Sequence, residues 1–311
     1  MVRSLVTGGA GLVGSHLVDA LVERGDEVVA LDNLATGKRE KIHPGGRLIE
    51  VNVCDADRVS GEIEKFRPDF IFHLAAQADP KRAFNDPGFD ATVNVVGTIN
   101  VALAAAKCGV QKLVFTSTGG AMYGSPEVSS LPVDESFPVA PASPYGMSKY
   151  CAELYLEMIR RQHGLEYSIL RPANIFGPRQ EPESEVGVVL IFLEQMLAGE
   201  APKMRGFGRP TRDYVFVKDA VRAHLLASRR GGAKPYHIGT SVEVDVETIF
   251  NGLQKRLGTS FVPNRVALSP GEVERMALDN SLAASELGWR PEHSLDEGLD
   301  KTVDHVLSRR S

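Results

Sequence analysis

Only three cysteines occur among the 311 residues, Cys54, Cys108 and Cys151, far apart and without a C-x-x-C pair. That scarcity excludes a disulfide framework and suits a reducing compartment, with the thiols buried and inert. The eight histidines show no H-E-x-x-H or comparable spacing, so no metal site is expected. Cations are not in excess: 35 Lys and Arg against 40 Asp and Glu give a net charge of -5, and the basic residues are scattered. An electrostatic grip on nucleic acid is not expected from such a chain. Long apolar runs are also missing. The longest, "VGVVLIFL", is too short to span a bilayer, and glycines break the opening "MVRSLVTGGAG" where a signal peptide needs a longer apolar core. A cytoplasmic protein without a membrane partner is the expectation. Internal repeats and low-complexity tracts are absent.

What is present is a chain with 43% hydrophobic residues, able to bury a substantial core as one large domain or two smaller ones. Short β-branched runs alternate with amphipathic stretches through the first half, the rhythm of βαβ units. Strands are expected at 3–8, 27–32, 47–53, 69–75, 112–117 and 167–173, with helices at 11–25, 55–66, 90–109 and 143–164. Six such strands with right-handed crossovers imply an α/β fold, a doubly wound parallel sheet of Rossmann-like type. After Asn174 proline and glycine punctuate shorter elements, with helices expected at 188–197, 217–228 and 244–257 and two more near Leu282 and Leu299. The expected organisation is a dinucleotide-binding domain over 1–173 and a smaller mixed α/β lobe over 174–311, with some C-terminal segments packing back on the first.

The first strand runs into "TGGAGLVGSHLVDAL", which sets Gly8, Gly11 and Gly14 at a strand-to-helix turn. Glycines there permit a tight turn and close approach of backbone to a pyrophosphate, while the helix N-terminus offers unpaired N–H groups to the anion. Asp32 closes the second strand eighteen residues after Gly14. A carboxylate at that point accepts from ribose hydroxyls and repels a 2′-phosphate, so NAD is favoured over NADP. Lys38 and Arg39 are the cations that might argue otherwise, but they read as solvated.

The strand "KLVFTST" ends in Thr116, Ser117 and Thr118, where the carboxyl ends of strands line the ligand crevice of a doubly wound sheet. Farther on, "SPYGMSKY" sets Tyr145 and Lys149 four residues apart, on one face of a helix. A free tyrosine titrates near pH 10, so a phenol serving as base near neutrality needs about 4 kcal/mol of help for its anion. A nearby cation supplies part of it. A hydroxyl, Thr118 or Ser117, would hold the same substrate oxygen; strand-end capping explains those hydroxyls too.

The ordered set of G-x-x-G-x-x-G, S-T and Y-x-x-x-K resembles the extended short-chain dehydrogenase/reductase family, and is especially similar to its nucleotide-sugar epimerases. "HLAAQ", Asn94, "RPANIFGPRQ", "TRDYVFVKDA" and "LGWRP" match in order, so the resemblance covers nearly the whole chain. It implies a 4-epimerase acting on a UDP-hexose through transient oxidation at C4, with NAD regenerated. Tyr145 would be the base and Lys149 its cation, helped by the charge of the oxidised nicotinamide; Lys149 would also bond the nicotinamide ribose. Beside Gly8, Gly11 and Asp32, the implied cofactor contacts are Leu12 and Val13 of the glycine loop, Asn33 and Gly37 after the second strand, and Asn52 and Val53 after the third. Leu74, Ala75, Ala76 and Gln77 of "HLAAQ" and Asn94 complete them. On the substrate side the resemblance implies Thr118, Tyr145, Asn174, Val189, Met204, Arg205 and Arg212, with Arg212 on the diphosphate; a salt bridge from Arg212 to Asp213 or Asp219 is the plainer reading. It further implies a homodimer through helices 90–108 and 144–163.

Four comparisons with the family stand out, three of them departures from its pattern. Gly119 and Gly120 follow Thr118 where a 4,6-dehydratase carries an Asp-Glu pair, which argues against dehydration. Ser269 stands where a second diphosphate arginine belongs, and Arg205 where an aromatic residue is common near the uracil. Arg205, Arg265 or Arg275 would have to supply the missing charge, unless the nucleotide is not UDP or binding is weak. Asn52 replaces an Asp at the adenine, a milder change because its carbonyl oxygen accepts the same bond.

Overall fold

Aliphatic runs buried on both faces form the central sheet, as a parallel sheet covered by helices requires. A computed structural model of the chain describes residues 1–181, 187–268 and 273–310. Strand β1 (Arg3–Thr7) turns through the glycines into α1 (Leu12–Glu23), followed by β2 (Glu27–Asp32), β3 (Gly46–Glu50), α2 (Ala56–Phe66) and β4 (Phe70–His73). Two short helices, α3 (Pro80–Asn85) and α4 (Pro87–Ala91), come next. The second continues through a π turn at Thr92–Val96 into α5 (Gly97–Lys107). Then come β5 (Lys112–Thr116), α6 (Pro144–His163) and β6 (Tyr167–Pro172).

The remaining elements are β7 (Asn174–Phe176), α7 (Val188–Leu197), β8 (Lys203–Arg205), β9 (Thr211–Arg212), β10 (Tyr214–Phe216) and α8 (Val217–Ala227). The chain ends with β11 (Pro235–Ile238), β12 (Val244–Asp245), α9 (Val246–Leu257), β13 (Asn264–Val266) and α10 (Leu295–Ser308). Three two-stranded pairs, β7 with β10, β9 with β12 and β8 with β13, give the second half its own small framework.

The main sheet has seven strands in the order β11-β6-β5-β4-β1-β2-β3, every neighbouring pair parallel. The doubly wound sheet expected from the sequence is thus present, with one strand more. Its seventh strand, β11, comes from beyond residue 174, and α8 from the same region packs on α1. The strand order reverses between β1 and β4, where Thr7 and His73 are register partners. A ligand crevice opens at the carboxyl ends of such a switch point.

Two apolar cores lie on opposite faces of the sheet. One joins α2, α5 and α6 through residues such as Ile63, Val101 and Leu156. The other joins α1 and α8 to the second lobe through Leu17, Val221 and the fully buried Trp289. The continuous helix 87–107 is the one helix among the described residues long and apolar enough to cross a bilayer by length and composition. It packs instead between α2 and α6. Some expected boundaries move: this helix begins at Pro87 rather than 90, β3 ends at Glu50 rather than 53, and α9 begins at Val246 after the bridge strand β12.

Candidate active site

The glycine turn owes its shape to contacts that tolerate no side chain. Gly8 has φ +69°, and a Cβ there would stand 2.7 Å from the amide nitrogen of Ala75; a Cβ on Gly14 would stand 2.0 Å from the carbonyl oxygen of Gly8. Helix α1 begins at Leu12, after Gly11, without a side-chain cap and without an acidic residue in its first turn. Its first N–H groups therefore lie open to an anion. Asp32, buried at the end of β2, accepts from the amides of Ala10 (2.9 Å) and Leu34 (2.8 Å). Burial pushes its carboxyl up, while those two amides and the charge of Lys41 pull it down. A bare cradle, an open helix end and a carboxylate at the second strand fit a dinucleotide.

Helix α6, which bears the candidate pair Tyr145 and Lys149, has a well-specified start. Ser143 caps it by accepting from the Gly146 amide (3.1 Å), Pro144 fills the first turn, and Gly164 at φ 73° ends it. Tyr145, Lys149 and Glu153 fall one turn apart along the face turned to the end of β5. Lys149 is buried, with Nζ donating to the carbonyl of Thr116 (2.7 Å) and lying 4.8 Å from the Phe115 ring centre. Ser117 donates through Oγ to Glu153 Oε1 at 2.5 Å. Glu153 is gripped by Arg171 through Nε (3.0 Å) and Nη2 (2.5 Å), and Arg171 donates through Nη1 to the Tyr123 hydroxyl (2.6 Å). That hydroxyl also meets His237 Nε2 at 2.6 Å.

The Ser117 hydroxyl is thereby turned into the core. Thr118 lines the cleft, and its hydroxyl has no hydrogen-bond partner among the described residues. Between the two candidate hydroxyls, geometry favours Thr118. Imidazoles do not compete for the role of base. Burial holds His73 down at about 3, with Lys149 adding to the effect, and holds His224 and His237 at about 4. His73 instead bridges Thr7 (2.6 Å) and Thr98 (2.9 Å).

Gly8, Gly11, Leu12, Val13, Leu74, Ser117, Thr118, Tyr145, Asn174 and Val189 line one cleft over the switch point. Other expected residues lie outside that lining. Asn33 accepts from the Ala35 amide (3.1 Å), and Gly37 packs on Asp32. Asn52 accepts from the Cys54 amide (3.0 Å), and Val53 supports Gly97. Ala75 donates to Thr7 Oγ1 (3.2 Å), with Ala76 half-buried beside it. Asn94, in the π turn, bonds to both main-chain groups of Gln77 (2.9 and 3.0 Å) and to Ser148 Oγ (3.0 Å), while the Gln77 amide reaches Asp90 (3.0 Å). Asn94 and Gln77 therefore tie the loop after β4 to α6, next to Lys149.

Met204 and Arg205 on β8 and Arg212 on β9 also fall outside the lining. Arg212 donates to the carbonyls of Thr211 (2.7 Å) and Val273 (2.6 Å). The Asp213 carboxylate is filled by Thr240, Ser241 and Leu278, and that of Asp219 by the amides of Glu292 and His293. Arg265 is paired with Glu247 (2.5 Å) and Arg275 with Glu243 (2.8 Å through Nε), so two of the three candidate replacement charges are engaged there. Ser269 lies outside the described residues.

Sequence reasoning did not single out Pro80, Phe176, Gln180 or Tyr214, which also line the cleft. Gln180 and Phe176 sit inside the quoted "RPANIFGPRQ", a signal that was available. Glu153 was equally within reach, as the next residue on the Tyr145–Lys149 face. A Cβ on Gly119 would stand 2.3 Å from Leu278 Cδ1, so that the leucine tip would have to move, and 3.1 Å from the carbonyl oxygen of Arg171.

A model of the NAD dependent epimerase/dehydratase family matches residues 4–239. A UDP-glucose 4-epimerase of Mycolicibacterium smegmatis is 44% identical over 313 residues, covering 99% of both chains. Among solved structures, a UDP-glucose 4-epimerase of Thermotoga maritima with UDP-glucose superposes at a TM-score of 0.97, 41% identical over 100% of both chains. The UDP-glucose 4-epimerase of Thermus thermophilus in complex with NAD gives 0.92, at 39% identity over 98% of each chain.

Proposed function

Because the chain belongs to the NAD dependent epimerase/dehydratase family, we propose that it is an NAD-dependent 4-epimerase that interconverts UDP-glucose and UDP-galactose. The observation that carries this reading is the meeting of Thr118 and Tyr145 on the wall of one cleft that begins at the glycine turn, in a chain similar from end to end to enzymes of that activity. The first turn of α1 would hold the pyrophosphate of NAD and Asp32 its adenosine ribose. NAD bound there would supply an acceptor and donor of hydride for C4 of the sugar.

Tyr145 takes the proton from the C4 hydroxyl as the carbon is oxidised and returns it as the carbon is reduced on its other face. Thr118 bonds the same oxygen and fixes its position through both halves of the reaction. Lys149, anchored on the Thr116 carbonyl, holds a positive charge beside the phenol and favours its anion. On this reading Asn174 and Val189 meet the nucleotide sugar from the cleft wall, and Arg212, Met204 and Arg205, outside that wall, are assigned to the diphosphate and the nucleotide by the family resemblance alone. Dehydration is disfavoured, since Gly119 and Gly120 follow Thr118 where a dehydratase carries its Asp-Glu acid–base pair.

We assign the cytoplasm as its compartment, in keeping with three cysteines that form no disulfide. We also assign a homodimer. Val96, Leu103, Met147 and Leu154 are 41–54% exposed on the adjoining outer faces of the 87–107 helix and α6, an apolar surface suited to a four-helix interface. Light scattering tests it, and a monomer at micromolar concentration would refute it.

The functional test is a panel of UDP-, dTDP-, GDP- and CDP-hexoses and uronates. Interconversion of UDP-glucose and UDP-galactose without net change in nicotinamide absorbance is expected. Release of carbon dioxide, or net oxidation or reduction, would replace the reading with that of a related decarboxylase or reductase.

A further inference from the structure

Two cations, Lys38 and Arg39, follow the ribose carboxylate Asp32 within seven residues. The epimerase reading gives them no task, although a 2′-phosphate would find charge there. Their loop lies against the carboxylate. The Lys38 amide donates to the Ala10 carbonyl (3.1 Å) in the glycine turn, and a Cβ on Gly37 would stand 2.9 Å from Asp32 Oδ1. Lys41, in the same loop, is buried and near enough for its charge to act on Asp32.

Each of these cations is already held. Lys38 Nζ lies 2.8 Å from Glu181 Oε2, and Lys41 Nζ lies 3.0 Å from Glu181 Oε1. Arg39 Nη2 lies 3.1 Å from Glu50 Oε2. Glu50 is the register partner of Asp32 across β2 and β3. Glu181 arrives from the far side of the chain with its side chain 6% exposed, and Arg309, directly after α10, closes on it at 3.1 Å.

We propose that Glu181 and Glu50 are specificity-determining residues for the dinucleotide: by engaging Lys38, Lys41 and Arg39 they withhold them from a 2′-phosphate. Rejection of the phosphorylated cofactor is then the work of three carboxylates, Asp32 acting by direct repulsion and the other two by capturing the cations a phosphate needs. Removing Glu181 leaves two sequestered ammonium groups without their shared anion, and a phosphate dianion is the ligand that restores the balance. The inference rests on the dinucleotide site proposed above and adds the residues that discriminate within it.

The test is titration of NAD⁺ and NADP⁺ into protein freed of bound dinucleotide, for the wild type, Glu181→Gln, Glu50→Gln, and Glu181→Gln combined with Lys38→Met. The ratio Kd(NADP⁺)/Kd(NAD⁺) is expected to fall about tenfold in Glu181→Gln, the equivalent of one new charge-assisted hydrogen bond to the phosphate. A smaller fall is expected in Glu50→Gln, whose partner Arg39 is solvent-exposed. NADP⁺ binding to both variants should weaken with added salt more steeply than in the wild type. Lys38→Met should return the Glu181→Gln ratio most of the way.

Folded variants with an unchanged ratio would overturn the proposal, and so would a fall that Lys38→Met does not reverse. Glu181 also anchors α10, so melting temperatures are read alongside. Should Glu181→Gln not fold, an unmoved ratio in Glu50→Gln is by itself enough to overturn it. A wild type that binds neither dinucleotide would sink the epimerase reading instead, which keeps the two failures apart.

Discussion

Around the end of β5 polar side chains answer one another inside the core, Ser117 to Glu153, Glu153 to Arg171, Arg171 to Tyr123 and Tyr123 to His237. In the second lobe the comparable charges sit at the surface, Arg265 with Glu247 and Arg275 with Glu243, each partner a fifth or more exposed. The first region closes its hydrogen bonds within the core, where a low dielectric strengthens each of them, and only His237 Nδ1 at its end has no hydrogen-bond partner among the described residues. The second can exchange partners with solvent at small cost. On the proposed function, chemistry belongs to the region whose polar groups are paired in the core, and recognition of the nucleotide to the region whose charges are exposed.

The sharpest way to break that contrast is at the base. Tyr145→Phe should lower turnover by about 10³ with dinucleotide binding and melting temperature unchanged, measured by interconversion assay and calorimetry. A variant that still turned over would remove the chemistry from the prewired end altogether. Next in size is Arg171→Ala, which strands the Glu153 carboxylate in the core and should cost about 3–5 kcal/mol of stability in urea denaturation. A loss below about 1 kcal/mol would mean that the buried network is no more than a surface pair in disguise.

The two hydroxyls on β5 sharpen the comparison at finer grain. Thr118→Val should reduce kcat about 10² with little change in stability. Ser117→Ala should instead lose about 1 kcal/mol of stability, one hydrogen bond, and keep kcat within about threefold. Equal effects on kcat would contradict the assignment of one hydroxyl to the cleft and the other to the core.

Acid should act on the core before it acts on the lobe. His73, His224 and His237 are held at about 3, 4 and 4 in the fold, while in the unfolded chain each titrates near pH 6.5. Below pH 6.5 the unfolded state therefore binds more protons, so stability is full above that value and falls as pH drops toward 4. The loss should approach about 1.4 kcal/mol per pH unit for each imidazole, seen in melts across pH 7 to 4.5. A flat profile would mean that the imidazoles are hydrated. The smallest effects belong to the lobe: Arg212→Ala should raise KM for the UDP-sugar about tenfold, and Arg265→Ala less than about twofold.

The order of elements in the first half was legible because aliphatic strands and amphipathic helices differ in period. The seventh strand was not. "PYHI" contains a proline and a histidine, and it qualifies as a strand only because it lies at the sheet edge and because Tyr123 receives His237 in the core. At the site, glycines, Asp32, Tyr145 and Lys149 were readable from local spacing. The choice between Ser117 and Thr118 was not, since it depends on Glu153, 36 residues away in sequence. Nor did spacing reveal the captors of Lys38 and Arg39, for Glu181 meets its partners only through tertiary folding. Local geometry repeats in sequence; the satisfaction of charge does not.

The π turn at Thr92–Val96 divides one helix into two reading frames. An extra residue in a turn advances the phase of the preceding segment by about 100° relative to the segment after it. Asn94 can thus point at Gln77 and Ser148 while Val101 and Ala105, farther along, still face the sheet. Deleting a single residue there would leave a longer, more regular helix and a misaligned Asn94, a frameshift written in space rather than in codons.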